Sequence, residues 1–154
     1  MKLLLKILIL FYVILLSGCL KGTGSGNPLV GTPIDNDGSI RTVYGTQLRN
    51  NICLLILSCS TGLDINDCKT SIGELTTYAP KLGLTDALTF EEIIDEEYSE
   101  NITANSDASE LCDQGVSAFD CSDPEVINAY DNALANPYTN SDQLLIPACE
   151  DVFK

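Results

Sequence analysis

The chain has 154 residues, and its 8 basic residues are outnumbered by 22 acidic ones, which gives a net charge of −14. The first 18 residues hold two of the basic residues and none of the acidic ones, so the remaining 136 carry a net charge of −16. That length suits one domain with its own hydrophobic core. So acidic a surface repels phosphate backbones, which excludes nucleic acids as partners.

Residues 1–18 have the organisation of a secretory signal peptide. Lys2 and Lys6 supply a basic start, and an unbroken run of ten apolar residues follows from Ile7 to Leu16. A basic region ahead of a short apolar run is the pattern of an export signal. The run is shorter than the roughly 20 residues that a membrane-spanning helix needs.

The four residues Leu16-Ser17-Gly18-Cys19 close this segment. They resemble the lipobox of bacterial prolipoproteins, which reads Leu, a small residue, Gly or Ala, and then Cys. The resemblance implies cleavage before Cys19, a diacylglyceryl thioether on its sulfur and acylation of the new amino group, so Cys19 is an anchor rather than a catalyst. Leu20 is not the aspartate that retains many such proteins in the inner membrane, which favours the outer membrane.

Two alternatives for this segment stay open. The N-terminus could remain as an uncleaved helix, or a simple signal peptide could be removed and leave Cys19 to join the disulfides. Both alternatives make the match to the lipobox a coincidence.

Residues 20–39 contain five glycines and two prolines and offer little to bury. We predict that residues 19–39 form a flexible tether, and that a chain of this length lets the domain float about 25 Å from the lipid. A single folded domain is then predicted over residues 40–154.

The end of the tether holds a candidate calcium loop, Asp35-Asn36-Asp37-Gly38. Aligning Gly38 with the turn glycine of an EF-hand places Asp35 and Asp37 on ligand positions three and five. Pro33 and Tyr44 then occupy the first and twelfth ligand positions, which do not fit. An Asx-type turn explains the same residues without a metal.

The first half of the domain is predicted to be helical. Apolar residues recur at helical spacing between Arg41 and Cys59, which indicates a buried central helix. Asp64 is placed to cap a second helix, and Thr89 with Glu92 forms a capping box ahead of a third.

The second half is predicted to continue in the same way. A fourth helix follows the polar loop 101–107, and Asp123-Pro124 opens a fifth that should run to Pro137. A last helix is expected from Ser141. No stretch alternates with period two for long, so the predicted fold class is all-α, a small bundle of five or six short amphipathic helices behind the tether.

Six cysteines remain once Cys19 is set aside, and in an exported chain an even number predicts three disulfides. The chain has no histidine and no Cys-x-x-Cys pair, so zinc-ribbon, thioredoxin-like and c-type haem signatures are absent. We therefore predict no cofactor other than acyl chains on Cys19.

Six cysteines allow fifteen pairings. On one helix Cys53 and Cys59 point about 240° apart, so they should take different partners. Cys112 and Cys121 on one helix would lie roughly 13 Å apart, too far for a bridge. Cys68 is expected near the last turn of the first helix, and the predicted set is therefore Cys59–Cys68, Cys53–Cys112 and Cys121–Cys149.

Six carboxylates crowd the third predicted helix: Glu91, Glu92, Asp95, Glu96, Glu97 and Glu100. The simplest interpretation is a solvated face of mutually repelling charges. Two alternatives are weak cation binding, and carboxylate-based hydrolysis, which would need one acid in an apolar pocket to raise its pKa. Without histidine, no Ser-His-Asp or Cys-His arrangement can be built.

These observations predict a non-enzymatic lipoprotein of the cell envelope, held to a lipid bilayer by Cys19. Its domain would contact another envelope protein or a ligand. The alternatives are a calcium- or cation-binding envelope module and a carboxylate-based hydrolase.

Overall fold

The structure is a computed structural model that describes residues 43–154. The predicted signal peptide, the lipidated Cys19, the tether and the candidate calcium ligands Asp35 and Asp37 lie outside the described residues. Six α-helices and two 3₁₀ helices follow in order: α1 Tyr44–Cys59, α2 Ile65–Gly73, α3 Tyr78–Lys81, α4 Phe90–Tyr98, α5 Ser106–Ala118, α6 Pro124–Asn128, and the 3₁₀ helices Ser141–Leu144 and Pro147–Asp151. This part of the chain has no strand, so the predicted all-α class is confirmed.

Helix α1 is the central element, as its apolar pattern predicts. It packs against α2, α4, α5 and α6. Leu48, Ile52 and Ile56 lie on one side of the helix and are almost wholly buried. Leu54 belongs to the same apolar run but is 55% exposed, because it lies about half a turn of rotation away from Ile52 and Ile56.

Both predicted helix caps of the first half are confirmed. The Asp64 side chain accepts hydrogen bonds from the backbone N–H groups of Asn66 and Asp67, at 2.7 and 3.2 Å. Thr89 Oγ1 accepts from the Glu92 N–H at 3.2 Å, and Glu92 Oε2 accepts from the Thr89 N–H at 2.8 Å. The hydrogen bonds from the N–H and then the hydroxyl of Thr89 hold the pKa of Glu92 below its ordinary value.

Replacing Thr89 with alanine is expected to lower the free energy of unfolding by about 1 kcal/mol, because the α4 cap loses its side-chain acceptor. A lowered folded-state pKa means that the Glu92 carboxylate stabilises the fold above its ordinary pKa. That contribution is lost as the pH falls through the folded-state pKa of Glu92. The difference in free energy of unfolding between the wild type and Thr89→Ala should therefore become smaller in acid.

Urea denaturation at several pH values measures this difference in free energy. The control is Thr85→Ala, which changes an exposed threonine of the same loop. A Thr85→Ala effect of equal size would contradict the capping argument.

Helix α3 lies where the sequence predicts only the end of a segment. Its Tyr78 is fully buried, and the ring packs against Phe90 with centroids 4.6 Å apart. The Tyr78 hydroxyl donates to Ser141 Oγ at 2.7 Å, which ties α3 to the first 3₁₀ helix. Contacts distant in sequence thus stabilise a helix of only four residues.

The second half departs from prediction between residues 129 and 151. Helix α6 ends at Asn128, well short of Pro137, and Ile127 and Leu134 are exposed. The chain ends the helix because local side-chain hydrogen bonds compete with it. Asp131 Oδ1 accepts from the Ala133 N–H at 2.9 Å, and Asn136 Oδ1 accepts from the Tyr138 N–H at 3.0 Å.

The terminal helix expected from Ser141 is instead the pair of 3₁₀ helices. On α5, Cys112 and Val116 are buried, but Leu111 is 55% exposed. Ile146 occupies the position next to Gly115, where an added Cβ would overlap the Ile146 side chain. The segment between the two 3₁₀ helices therefore packs closely against α5.

The structure has the predicted number of disulfides, but every predicted pair is wrong. The bridges are Cys53–Cys68, Cys59–Cys121 and Cys112–Cys149, with Cα–Cα distances of 5.9, 5.1 and 4.7 Å. The two constraints from helical geometry are confirmed, because Cys53 and Cys59 take different partners and Cys112 does not pair with Cys121.

Burial explains the observed pairing. Cys53, Cys68, Cys112 and Cys149 are fully buried, whereas Cys59 is half-buried and Cys121 is exposed. The predicted pair Cys59–Cys68 is wrong because Cys68 of α2 lies beside Cys53 of α1. Cys53 is six residues, or about 9 Å along the helix, before Cys59. The predicted pairs Cys53–Cys112 and Cys121–Cys149 fail because the buried side of α5 faces the second 3₁₀ helix, which leaves Cys121 beside the end of α1.

Candidate functional site

The six carboxylates of the acidic helix have different surroundings. Glu92 belongs to the cap of α4, Glu91 forms an ion pair with Arg49, and Glu96 accepts from Asn101 Nδ2 at 2.6 Å. Glu97 is only 6% exposed. The predicted solvated face is therefore wrong for Glu97, and several of the other charges have specific structural partners.

Glu97 caps helix α1 from a distance of more than 50 residues along the chain. Its Oε1 accepts from the Tyr44 N–H at 2.7 Å, and its Oε2 accepts from the Gly45 N–H at 2.8 Å. The N-cap residue of α1, Val43, has no side-chain acceptor, so the first N–H groups of the helix need one from elsewhere. The carboxylate also lies at the positive end of the helix dipole.

Gly45 makes this contact possible. A Cβ at this position would lie 2.9 Å from Cγ1 of Ile94 and 3.4 Å from Oε2 of Glu97. The absence of a side chain lets α4 approach the first turn of α1. The available signal in the sequence is indirect, namely a long apolar helix that begins without a capping residue.

A groove of about 670 Å³ lies at the surface between α1 and α5. Buried Glu97 and Ser109 form its floor, and more exposed residues form its sides. Among residues 43–154, three carboxylates and no basic residue line it; these lining residues are Tyr44, Gln47, Glu97, Ala104, Ser106, Ser109, Glu110, Asp113, Gln114 and Ser117. We call it the α1–α5 groove.

Asp113 is held in this groove by side chains of α1. Its Oδ2 accepts from Gln47 Nε2 at 2.9 Å, and its Oδ1 lies 3.3 Å from the Tyr44 hydroxyl and 3.5 Å from Asn51 Nδ2. No basic side chain of residues 43–154 contributes to this network. Within that part of the chain, the α1–α5 groove thus contains a positioned carboxylate whose charge no ion pair neutralises.

The pKa of Tyr44 is raised partly by the negative charges that surround its hydroxyl. Burial, the charge of Asp113, the hydrogen bond to Asp113 and the charge of Glu97, in that order, raise the pKa of Tyr44 above its ordinary value. The Tyr44 hydroxyl also lies 3.3 Å from the Ser109 carbonyl oxygen, so its one proton is shared between two acceptors. Tyr44 therefore stays protonated and acts in the groove as a donor.

Ser109 is the unusual residue of the groove. The residue is 8% exposed, and its Oγ is buried without a hydrogen-bond partner among the described residues. Buried polar groups are almost always paired, so each exception requires an explanation. In a groove of this kind, a bound ligand can provide the missing partner.

A second depression, of about 580 Å³, lies beside α2 and has balanced charges. Two basic and two acidic residues line it, together with Thr70, Gly73 and Thr89. The Arg49–Glu91 pair lies against Gly73, where an added Cβ would be 3.3 Å from Arg49 and 3.1 Å from Glu91. Much of its charge is thus satisfied within the protein, which makes it the weaker candidate.

No protein-family model, no curated protein and no solved structure matches this chain. Within residues 43–154, no group of histidine, cysteine, aspartate or glutamate side chains is arranged to hold a metal ion. Among the same residues, no helix is both long enough and apolar enough to cross a membrane. The function is therefore inferred from the sequence motif and the geometry of the domain.

Proposed function

We propose that this protein is a lipid-anchored component of the bacterial cell envelope with a non-enzymatic role in binding. The observation that carries the proposal is the sequence Leu16-Ser17-Gly18-Cys19 after a basic and apolar segment. The acyl chains on Cys19 would hold the protein to the bilayer. One chain binds a membrane weakly, whereas two or three hold a protein durably.

The cysteines of the domain support this proposal. All six pair with one another, so Cys19 is the odd cysteine of the chain. Disulfides persist in oxidising compartments, which agrees with export beyond the inner membrane. Leu20 beside the anchor favours the outer membrane as the destination.

The hydrogen bonds that Glu97 and Asp113 accept within the protein support a binding role rather than hydrolysis. Carboxylate-based hydrolysis needs two acids that are free to transfer protons to and from a substrate. Both oxygens of Glu97 accept backbone hydrogen bonds, and both oxygens of Asp113 accept from side chains of α1. In the α1–α5 groove these two acids therefore maintain the fold and the local charge.

Intact-mass spectrometry tests the anchor. The full chain is expressed in a bacterium with a lipoprotein pathway and extracted from its membranes. We expect the wild-type protein to lack residues 1–18, to carry acyl mass and to contain six oxidised cysteines. The Cys19→Ser variant should carry no acyl mass, because serine does not replace the thiol in this modification.

Leu20→Ala is the matched control, since it lies beside the motif but outside it, and it should be acylated like the wild type. Recovery of the wild-type protein with Met1 still attached would contradict the proposal. An equal added acyl mass on the wild-type and Cys19→Ser proteins would also contradict the proposal.

A further inference from the structure

We propose that the α1–α5 groove binds an organic cation, an ammonium or guanidinium group carried by a basic peptide segment or by a free polyamine. This gives a ligand class to the proposed binding role and rests on that role. It does not depend on the acyl anchor.

Among residues 43–154, no basic side chain balances the charge of the α1–α5 groove. Residues 43–154 contain four basic residues, and none of them lines this groove. Arg49, Lys81 and Lys154 form ion pairs with Glu91, Asp142 and Asp151, and Lys69 lines the depression beside α2. A cationic ligand would therefore balance the charges of Glu110 and Asp113, for which residues 43–154 supply no basic side chain in this groove.

The unpartnered hydroxyl of Ser109 supplies a second and independent observation. The Ser109 Oγ has no hydrogen-bond partner among residues 43–154, and a ligand in the groove that carries N–H or O–H groups can supply one. Ammonium and guanidinium groups carry several N–H donors, so one such group can serve a hydroxyl and a carboxylate together. The positioned Asp113 and Glu110, whose Oε1 lies 3.1 Å from Gln114 Nε2, offer these acceptors in the same groove.

The same features argue for an organic cation over a metal ion. Calcium takes six to eight oxygen ligands at about 2.3–2.6 Å. No group of acidic side chains in residues 43–154 is arranged for this. Acceptors that are spread along a groove match a cation whose donors point in several directions.

The experiment is calorimetric titration, in a non-ionic detergent, of the protein obtained by expressing the full chain, with the acyl mass of the same sample measured. Two probes of equal charge distinguish the possible sources: putrescine, and the peptide acetyl-Lys-Gly-Lys-amide. Both carry two ammonium groups. We expect binding of at least one probe, weakened by added salt because part of the attraction is electrostatic.

Two variants of the groove test the assignment. Ser109→Ala should weaken binding at least about threefold without lowering the melting temperature, because its hydroxyl has no partner within the protein. Glu110→Gln should weaken binding up to about fivefold, as expected for an exposed charge. The matched controls are Ser99→Ala and Glu125→Gln, exposed residues outside the groove, and Glu125→Gln changes the net charge by the same amount as Glu110→Gln.

Tighter binding of the peptide would support the proposal and indicate the basic side chains of a partner protein. Tighter binding of putrescine would support it and indicate a free polyamine. Absence of heat with both probes would overturn it, as would equal weakening by Glu125→Gln and Glu110→Gln. Displacement of the probes by an equal concentration of calcium would also overturn it, since it would show attraction by charge alone.

The outcomes for the groove and for the anchor are separable. Protein whose mass shows acylation but which binds neither probe would overturn the groove assignment and leave the anchor intact. Protein that binds a probe but carries no acyl mass would overturn the anchor and leave the groove assignment intact.

Discussion

Replacing Glu97 with alanine should lower the free energy of unfolding by about 4 kcal/mol. The change removes a buried carboxylate that accepts two backbone hydrogen bonds, and hydrogen bonds to charged groups contribute roughly 1.5–3 kcal/mol each. It also removes a negative charge from the positive end of α1. The N–H groups of Tyr44 and Gly45 would then lack their acceptor.

Urea denaturation followed by circular dichroism measures this loss, with Glu96→Ala as the matched control. Glu96 lies on the same helix, but its partner is the side chain of exposed Asn101, so its removal should cost less than about 1 kcal/mol. Glu97→Gln should lower the free energy of unfolding by an intermediate amount, because the amide has one acceptor oxygen where the carboxylate has two. Equal effects of Glu96→Ala and Glu97→Ala would show that Glu97 does not cap α1. Glu97 both caps α1 and lines the groove, so the ligand titration uses Ser109 and Glu110 instead.

The double variant Cys112→Ala with Cys149→Ala should also lower the free energy of unfolding by about 4 kcal/mol. The bridge closes a loop with a sequence separation of 37 residues, and the loss of chain entropy in the unfolded state accounts for a stabilisation of this size. Both sulfurs are buried, so their removal also leaves unfilled space between α5 and the second 3₁₀ helix. Denaturation of the oxidised proteins measures the difference.

The Cys59–Cys121 bridge provides the comparison, because it differs from the Cys112–Cys149 bridge in exposure. Treating the folded protein with dithiothreitol should reduce Cys59–Cys121 first, since attack by a thiolate requires access to a sulfur and Cys121 is exposed. Alkylation at timed intervals followed by mass spectrometry identifies the reduced pair. Reduction of Cys112–Cys149 at the same rate would contradict the burial argument.

Features that depend on neighbouring residues were predictable. The Asp64 cap and the Thr89–Glu92 capping box each involve residues two or three positions apart, so the local pattern contains the whole interaction. The spacing of Leu48, Ile52 and Ile56 likewise predicts the buried side of α1. The early end of α6 is a local feature that the apolar spacing does not predict, because hydrogen bonds to the turn residues Asp131 and Asn136 compete with the helix.

The candidate site could not be predicted, because its parts are distant in the sequence. Asp113 lies 66 residues from the Gln47 amide that it accepts from, and Glu97 lies 52 residues from the Gly45 N–H. An acidic helix read alone indicates a solvated surface. Only the packing of α4 against the start of α1 shows that one of its charges is buried.

The sequence by itself determined that this is an acidic, helical domain with three disulfides, because composition, helical periodicity and an even number of cysteines are properties of the chain. It also contains Leu16-Ser17-Gly18-Cys19, the four residues on which the proposed anchor depends. The tertiary structure alone decided which cysteines pair, which carboxylate caps α1 and where the α1–α5 groove lies. These features depend on which helix faces meet, and contacts between residues far apart in sequence select those faces.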